Sequence, residues 1–305
     1  MIQEKIEILP TRLLDENRVI VNELKSLAHS LNLEFGWHYL LDLTWIIRNL
    51  DTIQGKHIMD AGAGTGILQW YLADHGATVL SVDRGSRADL PIRFRRRYNV
   101  LGLRTASSAQ SPSQPDLLPT STILARSLKN PRKAAAALKD LFTNTCAKSK
   151  HNRQSSQIFI YNQDLGNLDD IADNTLDAIV AVSALEHNPP EKLPAVVAEL
   201  MRVLKPGGVL LATLGAARDQ DWFHIPSAGW CYTGKTLQNL FGLPGDVPTN
   251  YDLYDALFAD LVNCTELSDN LASFYFHSGD NGMPWGKWDP QYQSVGICKI
   301  KHPEP

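Results

Sequence analysis

Residues 58–83 read IMDAGAGTGILQWYLADHGATVLSVD, and no other stretch restricts the possible fold as much. An apolar run leads into glycines at alternate positions, Gly62, Gly64 and Gly66; a helical pattern follows and closes at Gly76; a run with β-branched residues ends at Asp83. Strand, helix and strand in so short a span predict a βαβ unit, and a βαβ unit requires parallel strands. Glycines at a strand-to-helix crossing let main chain approach a ligand closely and aim N–H groups at it. Phosphate is the usual guest of such a turn. Here the spacing is GxGxG, and Ile67 stands where a dinucleotide fingerprint has its third glycine. Asp60, two residues before Gly62, would repel a pyrophosphate but can help hold an ammonium group, directly or through water. Asp83 closes the second strand, where a carboxylate accepts hydrogen bonds from the ribose hydroxyls of a nucleoside without a 2′-phosphate.

A ribose, a cationic amino-acid end and no phosphate together describe S-adenosyl-L-methionine. Two further stretches, NQDLGNLDDIADNTLDAIVAVSALEH and ELMRVLKPGGVLLATL, follow in the order that reading requires. With DAGAGTG they resemble the class I, seven-stranded S-adenosylmethionine-dependent methyltransferases, particularly the branch of the ubiquinone and menaquinone biosynthesis enzymes. The resemblance covers residues 55–100 and 157–215. It implies a doubly wound, mostly parallel seven-stranded sheet of Rossmann-like form. It also implies that the cofactor lies against Asp60, Gly62, Ala63, Gly64 and Gly66, with Asp83 and its neighbour Arg84 at the ribose. Asp164 and Leu165 would flank the adenine, and Ser183 would follow the fourth strand.

Around that framework the chain divides into a helical N-terminal cover, 1–54, and a methyltransferase domain, 55–305. RVIVNELKSLAHSLN and EFGWHYLLDLTWIIRNL carry apolar residues at helical intervals. An insertion over 102–157 separates the second and third strands; ASSAQSPSQPDLLPTS reads as loop and NPRKAAAALKDLFTNT as a capped helix. Beyond the fifth strand, substrate-facing segments are expected within 216–292: helices at TGKTLQNLFG and NYDLYDALFADLVN, a strand at ASFYFHS and the loop GDNGMPWGKWDPQY before a last strand, SVGICKIK.

Charge is unevenly placed. From Arg84 to Arg153 the chain holds 15 of its 29 Lys and Arg but 3 of its 33 Asp and Glu. This basic segment suits an anionic or carrier-bound substrate; nucleic acid is the less favoured partner, given a net charge of −4. NPPE at 188–191 is similar to the Asn-Pro-Pro-aromatic motif of amino-methylating enzymes, but Glu191 removes the stacking ring. Apolar runs are too short to span a bilayer and the N-terminus has no export pattern, so a cytoplasmic chain is expected. Cys146, Cys231, Cys264 and Cys298 lie far apart without metal-ligand spacing and read as reduced thiols, and no metal is expected.

Methyl transfer needs an aligned acceptor and, for a hydroxyl acceptor, a destination for its proton. His187, beside Glu186 after the fourth strand, is the first candidate for that base, and His224 is its rival. The bland reading of His187 is a loop scaffold. Trp37, His38, Trp222, Trp230, Tyr232 and Trp285 are the candidates to wall a small organic acceptor, each of which core packing would equally explain. O-methylation of a small molecule is the expected reaction. A non-catalytic S-adenosylmethionine-binding regulator and a nicotinamide dehydrogenase are the rival readings; the latter predicts stabilisation by NADH.

Overall fold

A computed structural model describes residues 3–104, 115–128, 156–277, 279 and 282–303. The expected helix over NPRKAAAALKDLFTNT and much of the 102–157 insertion lie outside these residues, as does Cys146. Main-chain contacts divide the chain into two compact units, residues 1–51 with 172–305 and residues 52–171. Elements are numbered along the whole chain.

The unit of residues 1–51 and 172–305 opens with a strand, β1 (Lys5–Ile8), followed by helices α1 (Leu13–Glu16), α2 (Arg18–Leu31) and α3 (Tyr39–Asn49). After residue 172 come β6 (Leu176–Val182), α7 (Leu193–Val203) and β7 (Leu204–Ala216). The short strands β8 (Trp222–His224) and β9 (Gly229–Tyr232), helices α8 (Gly234–Leu240), α9 (Tyr254–Val262) and α10 (Thr265–Ser268), and β10 (Gln293–Ile300) complete it. Strands β6 and β7 are parallel, joined by α7, whereas β10 runs antiparallel to β7 and β1 antiparallel to β10. Strand β9 lies parallel to the end of β7 and pairs antiparallel with β8.

Helix α3 is buried on every side from Leu40 to Ile47, as a helix inserted into a core must be. It packs on β6, β7 and β10. Its Trp45, 1% exposed, donates its indole N–H to Glu7 of β1 at 2.9 Å and lies flat over Gly296 in the middle of β10. A Cβ on Gly296 would stand 2.5 Å from two carbons of the Trp45 ring, so β10 needs glycine there for closeness of approach. Gly296→Ala is expected to lower stability by about 1–3 kcal/mol, the usual range for overpacking a filled core. A urea unfolding curve shifted to a lower midpoint at unchanged slope checks this.

Residues 52–171 form an α/β unit whose strands are all parallel. In it β2 (His57–Ala61), α4 (Leu68–Asp74) and β3 (Thr78–Asp83) make the expected βαβ turn. Helix α5 (Ile92–Arg97), strand β4 (Asn99–Gly102), helix α6 (Thr120–Ser127) and strand β5 (Gln157–Asn162) follow, and the strand order is β2, β3, β5, β4. Gly76, at φ +88°, ends α4 in the left-handed conformation that glycine adopts without strain. Trp70 of α4 stacks on Phe94 of α5 with ring centres 4.5 Å apart, which fixes α5 beside α4.

Several expectations need correction. The described residues hold ten strands, not seven, and three of the five strand pairs in the unit of residues 1–51 and 172–305 are antiparallel, whereas all three pairs in residues 52–171 are parallel; a mixed α/β architecture stands. The N-terminal segment is not purely helical, because Lys5–Ile8 finds an open edge on β10. ASFYFHS is a 3₁₀ turn over Ser273–Phe276, pinned by the Tyr275 hydroxyl, which accepts the Trp37 main-chain N–H at 3.0 Å. No helix among the described residues is long and apolar enough to cross a membrane. Cys231 and Cys298 are buried, and Cys264 is half-buried, all as free thiols.

Candidate functional site

The glycine turn forms because β2 ends beside β3 in parallel register, with Asp60 opposite Ser81 and Ala61 opposite Val82. Gly62 and Gly64 have φ of +75° and +49°, where a side chain would be strained. Four main-chain N–H groups of the turn, those of Gly62, Ala63, Gly64 and Gly66, are occupied from within. Those of Gly62 and Ala63 both donate to the Val82 carbonyl, at 2.9 and 3.0 Å, and that of Gly66 donates to Ala63 at 2.9 Å. Gly64 N–H donates to Asp83 Oδ2 at 2.8 Å, while Gly85 N–H donates to Asp83 Oδ1 at 2.6 Å. An anion nest needs such donors free. This turn instead presents two carboxylates, which suits a cationic guest with hydroxyl groups and opposes a phosphate.

Asp60, 3% exposed, accepts the Gln69 main-chain N–H and faces Arg87 and Asp83. Burial raises its pKa to about 7, against the opposing pull of Arg87 and the Gln69 hydrogen bond. An ammonium ion brought alongside would restore the carboxylate. Arg87, itself buried, lies beneath the turn: its guanidinium donates to the Ser81 hydroxyl, to the Ser81 carbonyl at 2.7 Å, to Tyr161 at 3.2 Å and to Gly64 at 3.3 Å. Gln69 completes the support, donating to the Gly66 carbonyl at 3.0 Å and accepting from Ser81 at 2.7 Å. Gln69, Ser81 and Arg87 were missed in the sequence. Arg84, named there, is exposed, while Arg87 three positions on is the arginine that reaches the turn.

Asp164 is exposed and its Oδ1 accepts the Gly166 N–H at 2.8 Å, forming a turn after β5 with Leu165 half-buried. The Gln163 N–H donates to the Asp83 carbonyl at 3.0 Å, so this turn is tied to the end of β3. Much of the described basic segment is internal bracing. Arg95 donates to the Leu90, Ala88 and Leu118 carbonyls, Arg97 pairs with Asp74 at 3.1 Å, and Arg104 pairs with Asp170 at 3.2 Å.

The other candidates belong to the unit of residues 1–51 and 172–305. Ser183 ends β6 at φ +45°, held by its N–H to the Thr213 carbonyl at 3.1 Å, and its hydroxyl donates to Glu186. Glu186 is buried, its carboxyl raised in pKa by burial, and its Oε2 has no hydrogen-bond partner. Glu186 and His187 share a 3₁₀ turn, Leu185–His187, where both side chains lie beside Gly229 and a charged His187 opposes the rise in the Glu186 pKa. The exposed His187 ring donates Nδ1–H to the Ala228 carbonyl at 2.9 Å, which leaves Nε2 as the bare nitrogen.

His224 is buried, with Nδ1 2.7 Å from the Ser227 hydroxyl, and burial lowers its pKa. Trp222 meets its ring edge-on at 5.6 Å and Tyr292 at 5.1 Å. Trp37 and His38 are buried against one another, ring centres 4.5 Å apart, and both contact Tyr292. Trp230 stacks at 6.4 Å on the fully buried Tyr232. Trp285 is 71% exposed at φ +58° and closes over Gly279. The structure thus brings His38, Trp37, Trp222 and His224 together around Tyr292, a residue the sequence reading did not name. Among the described residues no group of three metal-ligating side chains occurs.

Residues 121–212 match a family model described as "Methyltransferase domain". Over that span the chain is similar to a methyltransferase domain. The matched span takes in β5, β6, α7 and most of β7, and the glycine turn lies upstream of it. No curated relative matches the chain in sequence. Similar solved structures include the [4+2]-cyclase SpnF, 14% identical with a TM-score of 0.49, over 99% of this chain and 100% of that one. A second is the 1,6-didemethyltoxoflavin-N1-methyltransferase of Burkholderia thailandensis, solved with its namesake compound and S-adenosylhomocysteine. It is 12% identical with a TM-score of 0.41, over 95% of this chain and 90% of that one. A third is an S-adenosylmethionine-dependent methyltransferase of Methanosarcina mazei, 17% identical with a TM-score of 0.37, over 64% and 81%.

Proposed function

We propose that the methyltransferase domain carries a methyl group to a hydroxyl of a small organic acceptor. The cofactor would lie against Asp60, the Gly62–Gly66 turn and Asp83, with Asp164 and Leu165 toward its adenine. When bound, the sulfonium supplies the methyl group and takes back the electron pair of the broken carbon–sulfur bond. What this chain adds is cofactor orientation and a destination for the acceptor's proton.

The observation that carries the hydroxyl reading is the imidazole arrangement. His187 has its Nδ1–H fixed on a main-chain carbonyl, which leaves Nε2 to accept a proton, and His224 is held through Nδ1 by a serine hydroxyl. Trp222 and Trp37 give the surroundings of His224 an aromatic character that suits an apolar acceptor. Arg87, Arg95, Arg97 and Arg104 of the basic segment are engaged with carbonyls and carboxylates of the fold, which weighs against a polyanion track along residues 84–104.

The reading is tested with isotopically labelled S-adenosylmethionine and a native metabolite extract, seeking a product heavier by one methylene and locating the new methyl by NMR. A methyl found on nitrogen or carbon overturns the hydroxyl assignment. Side by side, His187→Ala and His224→Ala identify the base: its loss lowers kcat about 100-fold with KM little changed. Equal activity in both variants would return the two rings to a scaffolding role.

A further inference from the structure

In the unit of residues 52–171 a single buried cation lies under the glycine turn. Arg87 follows the end of β3 and folds back beneath it. Its Nη1 donates to the Ser81 hydroxyl and to the Gly64 carbonyl at 3.3 Å, and its Nη2 to the Ser81 and Tyr161 carbonyls at 2.7 and 3.2 Å. Both nitrogens are engaged by neutral oxygens, so the guanidinium is not offered to an anionic guest. Ser81 is the register partner of Asp60, and Gly64 is the residue whose N–H Asp83 accepts. Arg87 therefore bonds to the immediate neighbour of each carboxylate that frames the turn, and both carboxylates face its charge.

The described part of the 102–157 insertion holds this arginine from behind. Asp116 is buried; its Oδ1 accepts the Asn162 main-chain N–H at 3.0 Å and its Oδ2 that of Arg104 at 3.1 Å. Asn162, opposite Asp83 in the β3–β5 register, donates its side-chain amide to the Asp116 carbonyl at 3.1 Å. Its Oδ1 accepts the Arg87 main-chain N–H, also at 3.1 Å. One residue on, the Ala88 carbonyl accepts the Leu118 N–H at 2.8 Å. The Asp116 carboxylate is the third to face Arg87.

We propose that Arg87 is a positioning residue of the cofactor site, a fixed charge beneath the turn that makes Asp60 an acceptor for the cofactor's ammonium and is held in place by Asn162 and Asp116. The inference rests on the functional reading above, with the ammonium at Asp60 and the ribose at Asp83. A buried carboxyl favours its neutral form, and a neutral carboxyl cannot pair with an ammonium ion. Burial lifts the Asp60 pKa to about 7 even with Arg87 pulling it down, and Asp83 pushes it up. Without Arg87 that repulsion acts unopposed, and Asp60 stays neutral at pH 7. The charged groups facing Asp60 are Arg87 and Asp83; those facing Arg87 are Asp83, Asp60 and Asp116. Three carboxylates outnumber one cation, so the turn keeps an excess of negative charge for a cationic guest.

Two measurements test the proposal. In cofactor-free protein with 13C-labelled aspartate, the Asp60 carboxyl should titrate near pH 7 in the native chain and at about pH 8 or above in Arg87→Gln. Arg87→Lys keeps the charge and should restore the native midpoint. An unmoved midpoint in Arg87→Gln overturns the proposal. If that variant does not fold, Arg87→Lys decides alone: a midpoint near pH 7 supports the role, and one above about pH 8 overturns it. By calorimetry, Arg87→Gln should lose about tenfold in S-adenosylhomocysteine affinity at pH 6.5 and at most about twofold at pH 8.5. For 5′-methylthioadenosine, which has the ribose and base but no ammonium, the loss should be at most about twofold at both pH values. Equal losses for the two ligands at both pH values make Arg87 a scaffold and overturn the role. Native protein that binds neither ligand overturns the cofactor reading and this role with it, whereas native protein that binds both, with an Asp60 midpoint indifferent to Arg87, overturns this role alone.

Discussion

Asp60→Asn should yield a protein that is more stable without cofactor at pH 8 and markedly poorer at binding it. Asp60 is buried with a pKa of about 7, well above the ordinary value of 3.8. A raised acid contributes nothing unfavourable while protonated in both folded and unfolded chains, and its penalty grows as pH rises from about 4 to about 7. Above that window the full penalty applies, roughly 2–4 kcal/mol, with Arg87 losing part of its countercharge in the variant. Urea unfolding at pH 8 should therefore favour the variant, and at pH 4 the two proteins should converge. Binding moves the other way. If Asp60 meets the cofactor's ammonium, S-adenosylhomocysteine affinity in the native protein falls as pH drops below about 7, and the asparagine variant loses both that dependence and about 10- to 100-fold in affinity. Calorimetry at pH 6 and pH 8 reads both effects, and a pH-independent native affinity would remove Asp60 from the ammonium.

Asp83→Ala has the second large effect. Its carboxylate already accepts from Gly64 at 2.8 Å and Gly85 at 2.6 Å, so it holds the turn on one side while offering its remaining lone pairs to a ribose. Removal should weaken S-adenosylhomocysteine binding by about 1.5–3 kcal/mol, the range for hydrogen bonds to a charged group. Asp83→Asn separates the two roles: one amide oxygen can still accept a main-chain N–H, but the second acceptor is lost. Unchanged affinity in the alanine variant would displace the ribose from this carboxylate.

The cradle was legible because its pattern is local. Gly62, Gly64, Gly66 and Asp83 declare a strand, a turn and a second strand within a few turns of chain, and the structure holds that unit as β2, α4 and β3. What lies beneath was not legible. Gln69, Ser81 and Arg87 meet only because register sets Ser81 opposite Asp60 and because α4 lies back over the strands. No spacing announces that Arg87, and not Arg84, turns inward. The arginine-rich run misled in a related way: composition records charge, but Arg95 and Arg97 have carbonyls and Asp74 as partners that only the fold supplies. The strand at Lys5–Ile8 escaped because it owes its pairing to residues at the far end of the sequence, and the last strand was expected without its antiparallel run against β7. Around His224 the aromatic candidates were named one by one, while Tyr292 and Ser227, which contact them, carried no motif.

Strand β1 depends on a partner made almost three hundred residues later, Lys5 facing Cys298 across the pair. During synthesis Ile6 and Ile8, which end with 2% and 0% exposure, therefore wait without their strand partner until β10 leaves the ribosome. Trp45 waits with them, since the glycine it lies on is in β10 as well. A ribosome paused late in the message would hold a chain whose glycine turn is complete but whose first strand still lacks its β10 partner.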